Sequence, residues 1–348
     1  MNAFKVPSNF SSMLSEPSYY STNNLTLTKK PDLISGIPDG ITALIAPIVA
    51  YWSYSMFFHV IDVYELAEKY RIHPSEDELK RNKVTLHEVV RDVILQHIIQ
   101  TIVGLVVFYF DPTPMTGYEY YTMWQLKHHY LPSFVPDVVV YYGYMYGWSL
   151  LRLCIAITII DTWQFWLHRL MHVNKTLYRR FHSRHHRLYV PYAFGALYND
   201  PLEGFLLDTL GTGVASLTTG LSPRECIILY TFATLKTVDD HCGYKLPWDI
   251  FQIIFPNNSV YHDIHHQIWG IKNNFSQPFF TFWDSLNKTQ YQFVEEYKEL
   301  QNHITLEKYK EFLAKKQRKG PASKQEKENY CEEIELTKET VEENKKTI

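Results

Sequence analysis

Nine of the chain's sixteen histidines lie between His168 and His266, and that crowding constrains the fold more than any other feature. Eight of the nine form three clusters: His168-Arg-Leu-Met-His172, His182-Ser-Arg-His185-His186 and His262-Asp-Ile-His265-His266. His241 stands alone between the second and third. Spacings of three and four residues put imidazoles on one helix face, one turn apart, where they can converge on a metal ion. A single such pair is weak evidence, but two H-x-x-H-H patterns and one H-x-x-x-H in order are not. Burying so many imidazoles with no cation to bind them would waste desolvation free energy. Eight neutral nitrogens exceed the needs of one ion and suffice for two. The scattered His59, His73, His87, His97, His128, His129 and His303 keep the ordinary reading of surface or core side chains.

Cys154, Cys226, Cys242 and Cys331 are spread far apart with no C-x-x-C pairing, which disfavours thiolate zinc sites and iron–sulfur clusters. A structural zinc needs only four ligands, fewer than this inventory offers. Nitrogen-rich sites suit zinc, copper, iron or nickel. The residues alone therefore say two imidazole-ligated metals and leave the element open.

The rest of the chain places these histidines beside a membrane. Its mean hydropathy of −0.23 hides a strong segregation along the sequence. Residues 41–61 form an apolar run of about the length of a spanning helix, roughly 20 residues, with Pro47 tolerable inside it. Residues 93–110 form a second run, interrupted by Gln96, His97 and Gln100, and 138–160 a third with Arg152 as its one charge. Residues 205–219 and 226–238, with Gly211, Gly213, Gly220 and Pro223, predict a helical hairpin within or near the membrane. The 26 Tyr and 20 Phe fit a protein with long stretches at membrane–water interfaces. A net charge of −3 gives no reason to expect nucleic acid. Few, scattered cysteines argue against a disulfide-built secreted protein.

The expected fold is all-α: a multi-span integral membrane helical bundle with a cytosolic, histidine-rich di-metal cap. Lys69, Arg71, Lys80, Arg81, Lys83 and Arg91 lie between the first two spans, and only Lys127 between the second and third. The positive-inside rule then puts 62–92 in the cytosol and 111–137 in the lumen. Four regions follow: a lumenal tail over 1–40, spans over 41–160, a histidine-box catalytic region over 161–312 that includes the hairpin at about 205–238, and a charged, disordered cytosolic tail over 313–348. Sequons at Asn9 and Asn24 fall on the lumenal side, whereas Lys29 and Lys30 pull against that orientation. Lys345 and Lys346, fourth and third from the end, match the dilysine signal that returns membrane proteins to the endoplasmic reticulum. The first 30 residues lack the apolar run of a cleavable signal peptide.

The three boxes, joined to Asp239-Asp-His-Cys-Gly-Tyr244 and Asn273-Asn-Phe-Ser-Gln-Pro-Phe-Phe-Thr-Phe-Trp-Asp284, resemble the fatty acid hydroxylase superfamily of membrane di-iron enzymes. Within it, Pro256-Asn-Asn-Ser-Val-Tyr-His-Asp-Ile-His-His266 and Ala67-Glu-Lys-Tyr-Arg-Ile-His-Pro-Ser75 are most similar to the branch that hydroxylates sphingoid bases at carbon 4. The resemblance implies two iron ions, dioxygen as co-substrate, and a long-chain base or ceramide as substrate. Electrons would come from NAD(P)H through a reductase and a b-type cytochrome; the chain itself shows no Gly-rich dinucleotide fingerprint or haem motif. The expected ligands are His168, His172, His182, His185, His186, His262, His265 and His266, with His241 as a ninth. Several relatives carry His-Pro-x-Glu after the second box, where this chain reads Asp200-Pro201-Leu202-Glu203. That leaves Asp200 open among ligand, partner of an imidazole N–H, and helix cap. Asp161, Asp239, Asp240 and Asp263 lie beside ligand histidines and are candidates to orient them or join the ligand set, with plain surface solvation the alternative for each, and Asp239 or Asp240 is also a candidate to meet a substrate amine. The competing readings are sterol C-4 methyl oxidation or lipid desaturation by the same superfamily, and a non-catalytic membrane protein that binds metal.

Overall fold

Three helices in the computed structural model are long and apolar enough to cross a membrane: α1 (Asp39–Val63), α2 (Leu86–Phe110) and α3 (Asp137–Val173). The structure describes residues 6–15 and 25–319. Each expected span falls inside one of these helices. α2 begins earlier than its apolar run because Thr85 caps it, accepting a hydrogen bond from the Glu88 N–H at 3.3 Å. The polar Gln96 and His97 that interrupt the run are buried on its inner face. α3 continues without a break in direction through the first histidine box, its only irregularity a π-helical turn at Gly143–Gly147. The outward faces carry exposed Val49, Phe57, Ile98, Ile102, Leu150 and Leu151, a surface suited to hydrocarbon and not to water.

The expected hairpin forms as a π-helical turn (Phe205–Leu210) running into α4 (Gly211–Thr219), then α5 (Pro223–Asp240). Gly220 closes α4 at φ +62°, the left-handed conformation that favours glycine. Ser222 and Glu225 form a reciprocal capping box at the head of α5, with Pro223 in its first turn. α4 packs on α3 through Ala156, Ile160 and Ala215, with Leu229 of α5 in the same buried cluster, and α5 lies along α1.

Phe58 of α1, Val89 of α2 and Val238 of α5 meet in one buried cluster with Leu188, Tyr198, Cys242 and Tyr244. One end of α1, α2 and α5 is thereby sealed by the segments that carry the second histidine box and His241. The third box sits on α6 (Ser259–His266), capped by Asn258. Behind it runs α7 (Val294–Lys319). α7 is helical to Lys319, in a segment rich in helix-forming Lys, Glu and Leu. A two-residue antiparallel pairing of Thr28–Lys29 with Met115–Thr116 is the one ladder of named strands among the described residues. Asn24, Lys345 and Lys346 lie outside the described residues.

Candidate metal centre

The nine imidazoles converge as two groups. His168, His172, His182, His186 and His265 form one, and His185, His241, His262 and His266 the other. Within each group the ligand-capable nitrogens all lie within 4.8 Å of one another. The sequence boxes are not the sites. In each H-x-x-H-H pattern the first and fifth histidines stay together, while the fourth crosses to the other group. Helix geometry explains the split for α6. At about 100° per residue, His262 and His266 are some 40° apart, while His265 lies about 60° to the other side of His262. The second box divides in the same way on a π-helical turn (Tyr178–His182) and a 3-10 turn (His185–Arg187).

The second ring nitrogens show how the imidazoles are held. Nδ1 of His168 lies 2.8 Å from the Phe275 carbonyl, that of His185 3.0 Å from Tyr198, and that of His241 2.8 Å from Thr237. His265 reaches the Asn273 carbonyl at 2.7 Å and His266 the Leu188 carbonyl at 2.8 Å. A carbonyl only accepts, so each of these Nδ1 atoms carries the proton and donates it. Each Nε2 is then a bare lone pair facing the centre. The Nε2 atoms crowd: His262 Nε2 is 3.0 Å from those of both His241 and His266, and His182 Nε2 is 3.0 Å from those of His168 and His186, more contacts than the one proton each could carry would satisfy. The buried His265 Nε2 has no hydrogen-bond partner at all. Lone pairs aimed at one another at this range repel unless a cation stands among them, so the donor set fits metal ions and little else.

Burial, and then neighbouring imidazoles, hold His182, His186, His262, His265 and His266 well below the usual histidine range. His185 falls to about 4 through burial, and His241 to about 3 through burial and His185. These groups stay neutral when folded but take up protons near pH 6.5 when unfolded. Between pH 6.5 and about 4 the unfolded chain therefore binds more protons, and stability falls as pH falls. Each unit lost costs up to about 1.4 kcal/mol per such histidine, and proton uptake also competes with metal. Moving detergent-solubilised protein from pH 7.5 to 5.5 is expected to lower the melting temperature and release bound metal together. An unchanged melting temperature and metal content at pH 5.5 would contradict the neutral, metal-facing assignment.

The carboxylates divide into several roles. Asp161 accepts from the Phe279 and Phe280 N–H groups at 3.1 and 2.7 Å. It thereby pins the loop whose Phe275 and Asn273 carbonyls hold His168 and His265. Asp263 faces away from the imidazole groups, toward His73 Nε2 at 3.0 Å and the Tyr297 hydroxyl at 2.6 Å, and so ties α6 to α7. Asp240 pairs with the buried Lys236, and Asp239 accepts from the Gln252 side-chain amide at 3.4 Å. Asp200 is a helix cap: it accepts from the Leu202 N–H at 3.0 Å and belongs to neither group.

Two supports escaped the sequence reading. Glu203, 1% exposed, accepts the Nδ1 proton of His182. The signal was the last position of the Asp-Pro-Leu-Glu element, but attention fell on Asp200. Asp284 accepts from the Phe275 and Ser276 N–H groups at 3.0 and 2.7 Å and from the Tyr261 hydroxyl at 2.9 Å. It joins the holding loop to α6.

Imidazoles of both groups open on one small chamber of about 20 Å3, lined by His182, His185, His241 and His262. Gln164, Asp208, Thr237 and Pro278 line this chamber and also a larger cavity of about 220 Å3 between α1, α2, α4 and α5. That cavity follows α2 from His97 to Asp111 and α5 from Thr237 to Pro223, about 21 Å along each helix. The arrangement can hold a long apolar chain with one carbon presented to two metal ions.

Comparison with known proteins agrees with this geometry. The fatty acid hydroxylase profile matches residues 153–289. A sphingolipid C4-hydroxylase of Saccharomyces cerevisiae is 59% identical over 299 residues, 86% of this chain and 85% of that one. Its counterpart in Schizosaccharomyces pombe is 45% identical, over 70% of this chain and 85% of its own. Sphinganine C4-monooxygenase 1 of Arabidopsis thaliana is 42% identical, over 72% and 87%. No solved structure matches. All nine converging histidines fall inside the matched profile, and the likeness to whole enzymes continues well beyond it on both sides. The chain belongs to the fatty acid hydroxylase family.

Proposed function

We propose that this protein is a membrane monooxygenase that places a hydroxyl group on carbon 4 of sphinganine or its N-acylated form. The observation that carries the reading is the wall shared by the long apolar cavity and the chamber faced by both imidazole groups. Relatives similar over most of both chains bear the names of sphingolipid C4-hydroxylases, which supports carbon 4 of a long-chain base over the carbons of a sterol.

The net reaction joins R–H, dioxygen, two electrons and two protons to give R–OH and water. Two iron ions held by the nine histidines would supply the activation of dioxygen, which is the hard part of the chemistry. The protein's share is position and exclusion. The cavity's 21 Å exceeds half of the bilayer's roughly 30 Å hydrocarbon core, the depth one lipid chain fills, so a whole chain can lie inside. Fixing that chain fixes which carbon stops at the metals. The chamber has room for about one water-sized molecule beside the imidazoles, which keeps bulk water from the reacting carbon. The carbonyl tethers on Nδ1 hold the ligand rings in place through the reaction.

In this reading α1, α2 and α3 span the endoplasmic reticulum membrane and the hairpin α4–α5 enters it from one side. The metal centre faces the cytosol, with the N-terminal tail in the lumen. Electrons reach it from NAD(P)H through a reductase and a b-type cytochrome. The purified protein, supplied with reductant and 18O2, should convert sphinganine or dihydroceramide to the 4-hydroxy product carrying one 18O atom. Failure to label carbon 4, or accumulation of methylsterols in cells lacking the protein, would overturn the assignment.

A further inference from the structure

Three carboxylates line the chamber beside the metal centre: Glu203, Asp208 and Asp240. Two are already engaged. Asp240 is neutralised by Lys236, and Glu203 is bound through one oxygen to the imidazole of His182. Asp208 differs. Its Oδ1 lies 3.4 Å from the Gln164 side-chain nitrogen, and its Oδ2, like Glu203 Oε2, is sealed from solvent with no hydrogen-bond partner, but unlike Glu203 it holds no imidazole. No ion pair among the described residues includes it. A buried carboxylate with no counter-charge is costly unless a cation joins it, and this one stands where chamber and apolar cavity meet.

A long-chain base supplies such a cation at that place. Its amine is a primary ammonium at neutral pH, borne two carbons from the carbon that must face the metals. Whatever holds the reacting carbon in the chamber must therefore also meet the ammonium close by. We propose that Asp208, backed by Gln164, receives the ammonium group of an unacylated long-chain base and so selects the free base over its N-acylated form. Asp208 is carried on the π-helical turn Phe205–Leu210, a geometry often found where a helix serves a site. N-acylation would replace the ammonium with a neutral amide. The sequence-based choice of Asp239 or Asp240 as amine receptor gives way for a physical reason: Lys236 already occupies Asp240, and Asp239 does not line the chamber.

The inference rests on the proposed substrate being a long-chain base, and the test separates the two ideas. Full-length wild-type protein and Asp208→Asn are assayed with sphinganine and with dihydroceramide, with metal content measured on both proteins. Loss of a charge-assisted hydrogen bond should raise KM for sphinganine roughly 10- to 100-fold with a smaller change in kcat. The ratio of kcat/KM values should move toward dihydroceramide by about tenfold or more, with metal content retained. Equal losses on both substrates, or no loss on either, would overturn the assignment of Asp208. A second measurement stands even if the variant does not fold. Hexadecylamine should inhibit the wild-type enzyme at concentrations at least about tenfold lower than hexadecanol, and equal inhibition overturns the proposal. If the wild type converts neither lipid, the proposed reaction fails. Stronger thermal stabilisation by hexadecylamine than by hexadecanol would then still support the amine site, and equal stabilisation would overturn it.

Discussion

His262→Ala is expected to abolish turnover and to leave about one metal equivalent on the protein in place of two. His262 belongs to the smaller group, where its Nε2 lies 3.0 Å from those of both His241 and His266. Removing it leaves three imidazoles around an ion that began with four. The loss should exceed the roughly 10- to 100-fold that accompanies removal of an outer-sphere partner, because a direct donor is gone. His172→Ala makes the contrast. Its group starts with five members and keeps four, and His172 is only half-buried. That variant should retain both ions while losing part of its activity. Metal analysis of the two purified variants, beside product formation, checks the pair. Two ions and full activity in His262→Ala would refute the grouping, as would loss of an ion from His172→Ala alone.

The nine histidines could be picked from the sequence because chemistry requires their residue type and helical spacing places them. Their division into two groups was left open there. For the third box it was nonetheless implicit in the rotation per residue along a helix, which parts His265 from His262 and His266. The second box lies on π and 3-10 turns that no local pattern announces, so the crossing of His185 is visible only after folding. The spans were legible because bilayer thickness fixes their length, although the Thr85 cap starts α2 ahead of its apolar run. The supporting carboxylates were legible only in part. An aspartate beside a ligand in sequence need not face it in space: Asp263 turns its back on the imidazole groups, while Glu203 reaches His182 from 21 residues away. Long-range hydrogen bonds of this kind depend on how elements pack, and packing has no short sequence signature.

Gly213→Phe is expected to cut turnover of a long-chain base on the order of 100-fold without lowering the melting temperature. Gly213 lines the apolar cavity, and a Cβ placed there would meet nothing within 4 Å. The first atom of the new side chain would therefore enter open space. Its backbone is helical, so the substitution removes a residue that costs a helix interior about 1 kcal/mol and replaces it with a better helix former. Any loss of activity then reports obstruction and not unfolding. Forcing a chain past the ring should cost about 1–3 kcal/mol or exclude it outright, which sets the size of the effect. Because the obstruction lies along the chain's path and not at the metals, bases with shorter chains should recover turnover while full-length ones do not. Gly143→Phe is the matched control: its Cβ also meets nothing within 4 Å, yet Gly143 lies outside the cavity wall. If Gly213→Phe handles long and short chains alike, or if the control loses as much, the cavity between α1, α2, α4 and α5 does not seat the lipid chain.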